Sequence, residues 1–164
     1  MSEQRISRRK ALRTLGALGV AGATGALALG APRSAGAQQL GIQERVEDGV
    51  QRVFGNRPLK DGAGLVKLEV PLIAENGAVV PVSVEATSPM TAANHVKHIY
   101  IVADRNRIPI VTRATFSPQV GLAYLGATLR LGETGEVRAI VEQSDGTLLQ
   151  VKREVKVTIS GCAT

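Results

Sequence analysis

Between Gly41 and Phe54 the apolar residues Ile42, Val46, Val50, Val53 and Phe54 recur at helical spacing, with Glu44, Arg45, Glu47, Asp48 and Arg52 on the opposite face. The spacing predicts a short amphipathic helix. Gly55-Asn56 supplies its stop, and Pro58 comes closely after. A single apolar stripe at the start of a domain is expected to cover one edge of that domain.

From Leu65 onward the period changes to two. Val66, Leu68, Val70 and Leu72 alternate with Lys67 and Glu69, and Val80, Val82 and Val84 alternate with Pro81, Ser83 and Glu85. Glu75-Asn76-Gly77 between them reads as a hairpin turn, because Asn and Gly both tolerate positive φ. Pro71 and Pro81 cannot donate to a ladder, which places these strands at an edge or gives them local breaks. Thr87 to Asn94 reads as a loop. The run from Val96 to Ala103 is apolar on both faces, with Val96, Tyr100 and Val102 on one and Ile99, Ile101 and Ala103 on the other. That suits a strand covered on both sides.

After the charged turn Asp104-Arg105-Asn106-Arg107 come strands over Ile110 to Phe116, around Ala127 to Leu131, and around Val137 to Val141. Ser144-Asp145-Gly146 reads as a second hairpin turn, and Leu149 to Ile159 as the last strand. Within it Arg153 falls on the apolar side, which points either to a bulge or to an interface contact. About seven short strands with regular turns, and no alternation of strands with helices, predict an all-β fold: an antiparallel β-sandwich with a short N-terminal helix. With no Trp and only two Phe and two Tyr, its core must be built from Val, Ile, Leu and Ala.

The first residues change the charge picture. Arg8 and Arg9 form a twin arginine, the Gly/Ala-rich run Ala11 to Ala31 comes next, and Ala35-Gly36-Ala37 has the form of an Ala-x-Ala cleavage site. That order is expected of a twin-arginine export signal over residues 1–37, with the mature chain starting near Gln38 and a periplasmic destination. Its residues are too small and Gly-rich for a stable membrane anchor, although an uncleaved anchor is the alternative that a run of this length leaves. Residues 1–37 hold six Lys or Arg and one acid, a net of +5 out of the chain's +6. The remaining domain is close to neutral, and nothing in it suggests the clustered basic face that nucleic-acid binding needs.

Residues 38–159 form one domain of ordinary size, and residues 160–164, Ser160-Gly161-Cys162-Ala163-Thr164, are expected to be a mobile tail carrying the chain's single cysteine. One cysteine cannot form an internal disulfide. In an oxidising compartment it is buried and inert, paired between chains, or reactive by design. Gly161 and Ala163 offer no apolar cover, which favours an exposed, functional Cys162. An unperturbed thiol is only about 3% thiolate at neutral pH. Lys152 and Lys156 lie too far along the strand to activate it. No general base or oxyanion hole can be placed beside the sulfur, so a carrier fits better than an enzyme, since a partner can supply both. His95 and His98 are expected on opposite faces of a strand, a poor start for a metal site. No catalytic set and no metal site is predicted, and the glutamates read as a solvated face.

Several of these segments together resemble SoxY, the carrier subunit of periplasmic sulfur oxidation. They are the twin-arginine signal, the run Pro71-Leu72-Ile73-Ala74-Glu75-Asn76-Gly77-Ala78-Val79-Val80-Pro81-Val82, Ser144-Asp145-Gly146-Thr147, and Glu154 to Ile159 running into Gly161-Cys162. The resemblance implies an immunoglobulin-like sandwich, a heterodimer with a SoxZ-like subunit, no cofactor, and a substrate held covalently on Cys162. It further implies a c-type cytochrome complex that attaches thiosulfate, a hydrolase that releases sulfate, and a sulfane dehydrogenase. Gly161 and Cys162 keep the family's Gly-Gly-Cys-Gly-Gly ending, whereas Ser160, Ala163 and Thr164 depart from it, so a stiffer arm is expected. The competing reading is a structural adapter whose cysteine makes an interchain disulfide or is vestigial.

Overall fold

The computed structural model describes residues 43–160. The expected export signal with Arg8 and Arg9, the first residues of the expected helix, and Gly161 and Cys162 lie outside the described residues. Helix α1 spans Val46–Phe54 and ends at Gly55, whose φ of +63° is a conformation that glycine adopts freely. Nine strands come after it: β1 (Leu59–Asp61), β2 (Val66–Glu69), β3 (Ile73–Ala74), β4 (Val80–Ala86), β5 (Val96–Ala103), β6 (Ile110–Thr115), β7 (Ala123–Leu129), β8 (Gly135–Gln143) and β9 (Leu148–Val157).

They form two layers. The larger sheet runs β1-β9-β8-β5-β6, with β3 also on β9, and the smaller runs β2-β4-β7. The expected β-sandwich with its short leading helix is the fold that forms. Its main pairings are antiparallel, while β1 and β3 add to β9 as short parallel pieces. Between the layers pack Val80, Val82 and Val84 of β4, Ile99 and Ile101 of β5, Val137, Ala139 and Val141 of β8, and Leu149 and Val155 of β9. This is the aliphatic core that the composition required.

Helix α1 covers the outer face of the larger sheet rather than an edge. Phe54 packs with Tyr100, Val102, Ile140 and Leu148, and its ring meets Tyr100 edge-to-face at 4.8 Å between centroids. That second core explains why β5 is apolar on both sides. The division of β5 differs from simple alternation: Val96 joins Ile99, Ile101 and Ala103 in the inter-sheet core, because the register on β8 shifts between Val96 and His98.

The two expected hairpin turns have different outcomes. Ser144-Asp145-Gly146 does close the β8–β9 hairpin, with Gly146 at φ +85° and the Asp145 carboxylate accepting from the Thr147 N–H at 2.8 Å. Asn76-Gly77 closes no hairpin. The strand before it, β3, pairs with β9, β4 pairs with β2 and β7, and Gly77 is not among the described residues of positive φ. The backbone groups of Gly77 are taken by distant segments instead. Pro81 lies in the central strand of the smaller sheet, opposite Thr128, but beyond the last β2 pairing at Ser83, so its missing donor costs no ladder bond on that side. Arg153 marks no bulge, since the β8–β9 register is unbroken from Gly135 to Glu142. It lines an open cleft of about 890 Å³ between β1, β2 and β9, where the space between the layers meets solvent.

Glu142, the buried charged residue of the described chain, lies on the helix side of β8 at 8% exposure. Arg57 donates to it at 2.7 Å and also to the Phe54 carbonyl at 3.1 Å, tying the end of α1 to the sheet. Burial pushes the Glu142 carboxyl up. The Arg57 hydrogen bond and charge, with His98 and Lys97, outweigh that and hold it below the ordinary carboxylate value. Burial likewise lowers His98, against the opposing pull of Glu142. Both folded values are depressed, so the unfolded chain binds more protons and stability falls as the pH falls. The loss is expected first below the ordinary histidine value of 6.5 and again below the ordinary carboxyl value of 4.5. Thermal melts across that range should show both steps in the wild type, and Glu142→Gln should shrink the lower one, leaving the part that belongs to Glu69 and Asp145, whose carboxyls are also held low by their hydrogen bonds.

Candidate functional site at the root of the cysteine segment

The final strand leads toward Cys162, and the way its end is held defines the site. Along β9 the alternation of Val155 and Val157 with Lys156 turns one side to the core and the other to solvent. Beyond Gln150, where β1 ends, the outer edge of β9 is taken up again, among the described residues, by β3, in the register Ile73↔Lys156 and Ala74↔Val157. The short strand β3 thus braces the last turn of the ladder before the chain leaves the sheet.

Five hydrogen bonds carry that bracing past the end of the strand. The Lys156 N–H donates to the Leu72 carbonyl at 2.9 Å and the Thr158 N–H to the Ala74 carbonyl at 3.1 Å. The Thr158 hydroxyl donates to the Glu75 carbonyl at 2.9 Å. The Gly77 N–H donates to the Ile159 carbonyl at 2.8 Å, and the Ser160 hydroxyl donates to the Gly132 carbonyl at 2.6 Å. On the other flank the Val157 N–H donates to the Thr134 hydroxyl at 2.9 Å. The two clamping loops are themselves joined, because the Leu131 N–H donates to the Gly77 carbonyl at 2.7 Å. Backbone held at both N–H and C=O by separate segments resists local opening. The chain is therefore fixed to the domain up to Ser160.

This assigns a role that the sequence did not disclose. Ser160 reads as a departure from a flexible glycine, whereas its hydroxyl is the last anchor of the root among the described residues. Thr158, Gly77, Gly132 and Thr134 carry the rest of the clamp. Their only trace in the sequence is the hydroxyl pair at Thr158 and Ser160 just before Gly161-Cys162. Leu72, Ile73, Val79 and Ile159 stand out around the root at 69, 58, 64 and 66% exposure.

The other residues weighed from sequence do not gather here. His95 precedes β5 and its Nδ1 contacts the Thr91 carbonyl at 3.1 Å, while His98 Nδ1 contacts the Thr115 hydroxyl at 3.1 Å. Among the described residues no group of three or more His, Cys, Asp or Glu is placed to hold a metal ion. Lys152, too far along the strand to activate the thiol, pairs with Glu136 at 3.3 Å on the outer face of the larger sheet, the face that carries α1.

Comparison with known proteins meets this geometry at the same place. The family model for the sulfur oxidation protein SoxY matches residues 50–162, from the middle of α1 to the cysteine itself. Among solved structures, the sulfur carrier protein SoxY from Chlorobium limicola f thiosulfatophilum matches with a TM-score of 0.59 and 30% identity, over 70% of this chain and 97% of its own. A superoxide reductase (neelaredoxin) from Ignicoccus hospitalis matches with a TM-score of 0.52 and 23% identity, over 57% of this chain and 80% of its own, a likeness of fold alone. No curated protein matches the chain. With two thirds of its length matched by one family model, and a relative of that family superposing on the same sandwich, the chain belongs to the SoxY family of sulfur oxidation proteins.

Proposed function

We propose that this chain is a carrier for sulfur oxidation, which holds its cargo covalently on Cys162 and presents it to partner enzymes. The observation that carries the reading is that the family match takes in Cys162 and that the chain is still hydrogen-bonded to the domain at Ser160, two residues before it. The thiol thus lies two residues beyond a rigid anchor. The chain belongs with carriers and not with enzymes, as its solved relative is a sulfur carrier protein.

The chemistry asked of Cys162 is simple and balanced. The thiolate sulfur and the terminal sulfur of thiosulfate form an S–S bond, and two electrons leave to a c-type cytochrome complex. Water then attacks the outer, oxygen-bearing sulfur of the adduct. Sulfate and a proton are released and a persulfide stays on Cys162, the form that a sulfane dehydrogenase would oxidise. The oxidant, the base and the hydrolase's water-activating groups all belong to partners, so a thiol with an ordinary pKa suffices. A SoxZ-like subunit completes the carrier, and residues 1–37 export it to the periplasm by the twin-arginine route.

The test is the intact mass of the protein taken from cells oxidising thiosulfate, before and after reduction, with the modified residue mapped. A reducible increase on Cys162 matching thiosulfonate or added sulfur is the expected result. An unmodified thiol in such cells would overturn the carrier reading in favour of a structural adapter.

A further inference from the structure

We propose that the exposed apolar residues at the root, Leu72, Ile73, Val79 and Ile159, are the docking surface for the enzyme that loads Cys162; the proposal rests on the carrier reading above. These side chains stand on segments bonded to one another. Leu72 and Ile73 flank the bonds between β3 and the end of β9, the Ile159 carbonyl is held by Gly77, and the Val79 N–H donates to Asn76 in the same loop. At 58 to 69% exposure they are among the most exposed large apolar side chains of the described chain, and neither core claims them.

The occupant is set by reach. Cys162 comes two positions after the anchored Ser160, and two residues span at most about 7 Å when fully extended. An enzyme that brings a recessed active site to the sulfur must therefore bring the mouth of that site against the root. A small reagent need not. The surface met there is aliphatic, and its backbone is already ordered by the clamp, so contact sacrifices little conformational freedom. Its charged neighbours, Glu75, Arg130, Glu133 and Lys156, are of both signs and all exposed. The partner that fits is an enzyme whose active-site mouth is rimmed by apolar groups, without a dominant charge of either sign.

The experiment titrates the mature chain, with its co-purifying subunit, into periplasmic extract of thiosulfate-oxidising cells supplied with thiosulfate. Adduct on Cys162 is counted by intact mass. Leu72→Glu and Val79→Glu are each expected to raise the half-saturating concentration roughly tenfold, a loss typical of an interface anchor. Leu122→Glu, at an exposed apolar position beside Ala123 at the opposite end of β7 from the root, should change nothing. The rate at which iodoacetamide alkylates Cys162 should be the same in all of them, which separates docking from any change in the thiol. Unchanged half-saturation in the Leu72→Glu/Val79→Glu double variant would overturn the proposal while leaving the carrier reading standing. So would loss of the co-purifying subunit from that variant, which would assign the surface to the subunit instead. Absence of adduct on the wild type at every concentration would remove the carrier reading, and the docking surface with it.

Discussion

Cys162→Ser is expected to abolish sulfur loading completely while leaving the folded domain as stable as the wild type. The chain has one cysteine, so no second thiol can take over. A serine hydroxyl is a far weaker nucleophile at neutral pH and cannot form the S–S bond on which the cargo depends. The stability half of the prediction comes from what holds the domain together. Among the described residues the two cores and the clamp are built from side chains and backbone groups between Val46 and Ser160, and a substitution away from such features usually shifts stability by no more than about 0.5 kcal/mol. The measurements are the adduct mass after exposure to thiosulfate-oxidising extract, a urea titration, and co-purification with the partner subunit. Any residual adduct would show that the cargo rides elsewhere. A large loss of stability or of pairing would show that the cysteine is structural, which is the adapter reading. The pairing of results matters, because inactivity by itself would fit a misfolded chain equally well.

The features legible in the sequence and those hidden from it divide by range along the chain. The strands β4, β8 and β9 show their period directly, since each has seven or more residues and a face in the inter-sheet core, while β5, apolar on both faces, is legible as an unbroken apolar run. The β8–β9 turn was legible because its cause is local: Gly146 needs positive φ, and Asp145 caps its own turn. Asn76-Gly77 carried the same kind of signal and misled, because Ile159 and Leu131, some eighty and fifty residues away, claim its backbone. The strands β1 and β3, three and two residues long, are too short to have a period and exist only through pairing with β9. The first half of β7 was hidden by Gly126, a poor strand former that here lies beneath the Tyr124 ring, 3.3 Å from where a Cβ would stand. The candidate site splits in the same way. Cys162 and the strand leading to it are visible in the sequence, whereas the clamp is a set of bonds between segments far apart in the chain, and no local pattern announces it.

Phe54→Ala is expected to remove about 3–5 kcal/mol of stability, the usual range for deleting a buried aromatic side chain. Phe54 is 2% exposed and is the anchor by which α1 holds the outer face of the larger sheet. Its loss leaves Tyr100, Val102, Ile140 and Leu148 facing a cavity, and removes the edge-to-face contact with Tyr100. The rest of α1 cannot compensate. The apolar side chains Val46, Val50 and Val53 are only partly buried, the Glu44–Arg52 pair lies on the exposed side, and such pairs contribute little. Against a total of about 5–15 kcal/mol for a domain, the variant should be close to unfolding, and its urea midpoint should fall steeply. The folded population that survives should still load Cys162 normally, because the clamp at Thr158 and Ser160 is built from β3 and the loops at Gly77 and Gly132, and makes no use of α1. A stability loss well under 1 kcal/mol would mean that the helix is dispensable cover. A loading defect larger than the loss of folded protein would mean that the two faces of the larger sheet are coupled, and that the root of the cysteine segment depends on a helix it does not touch.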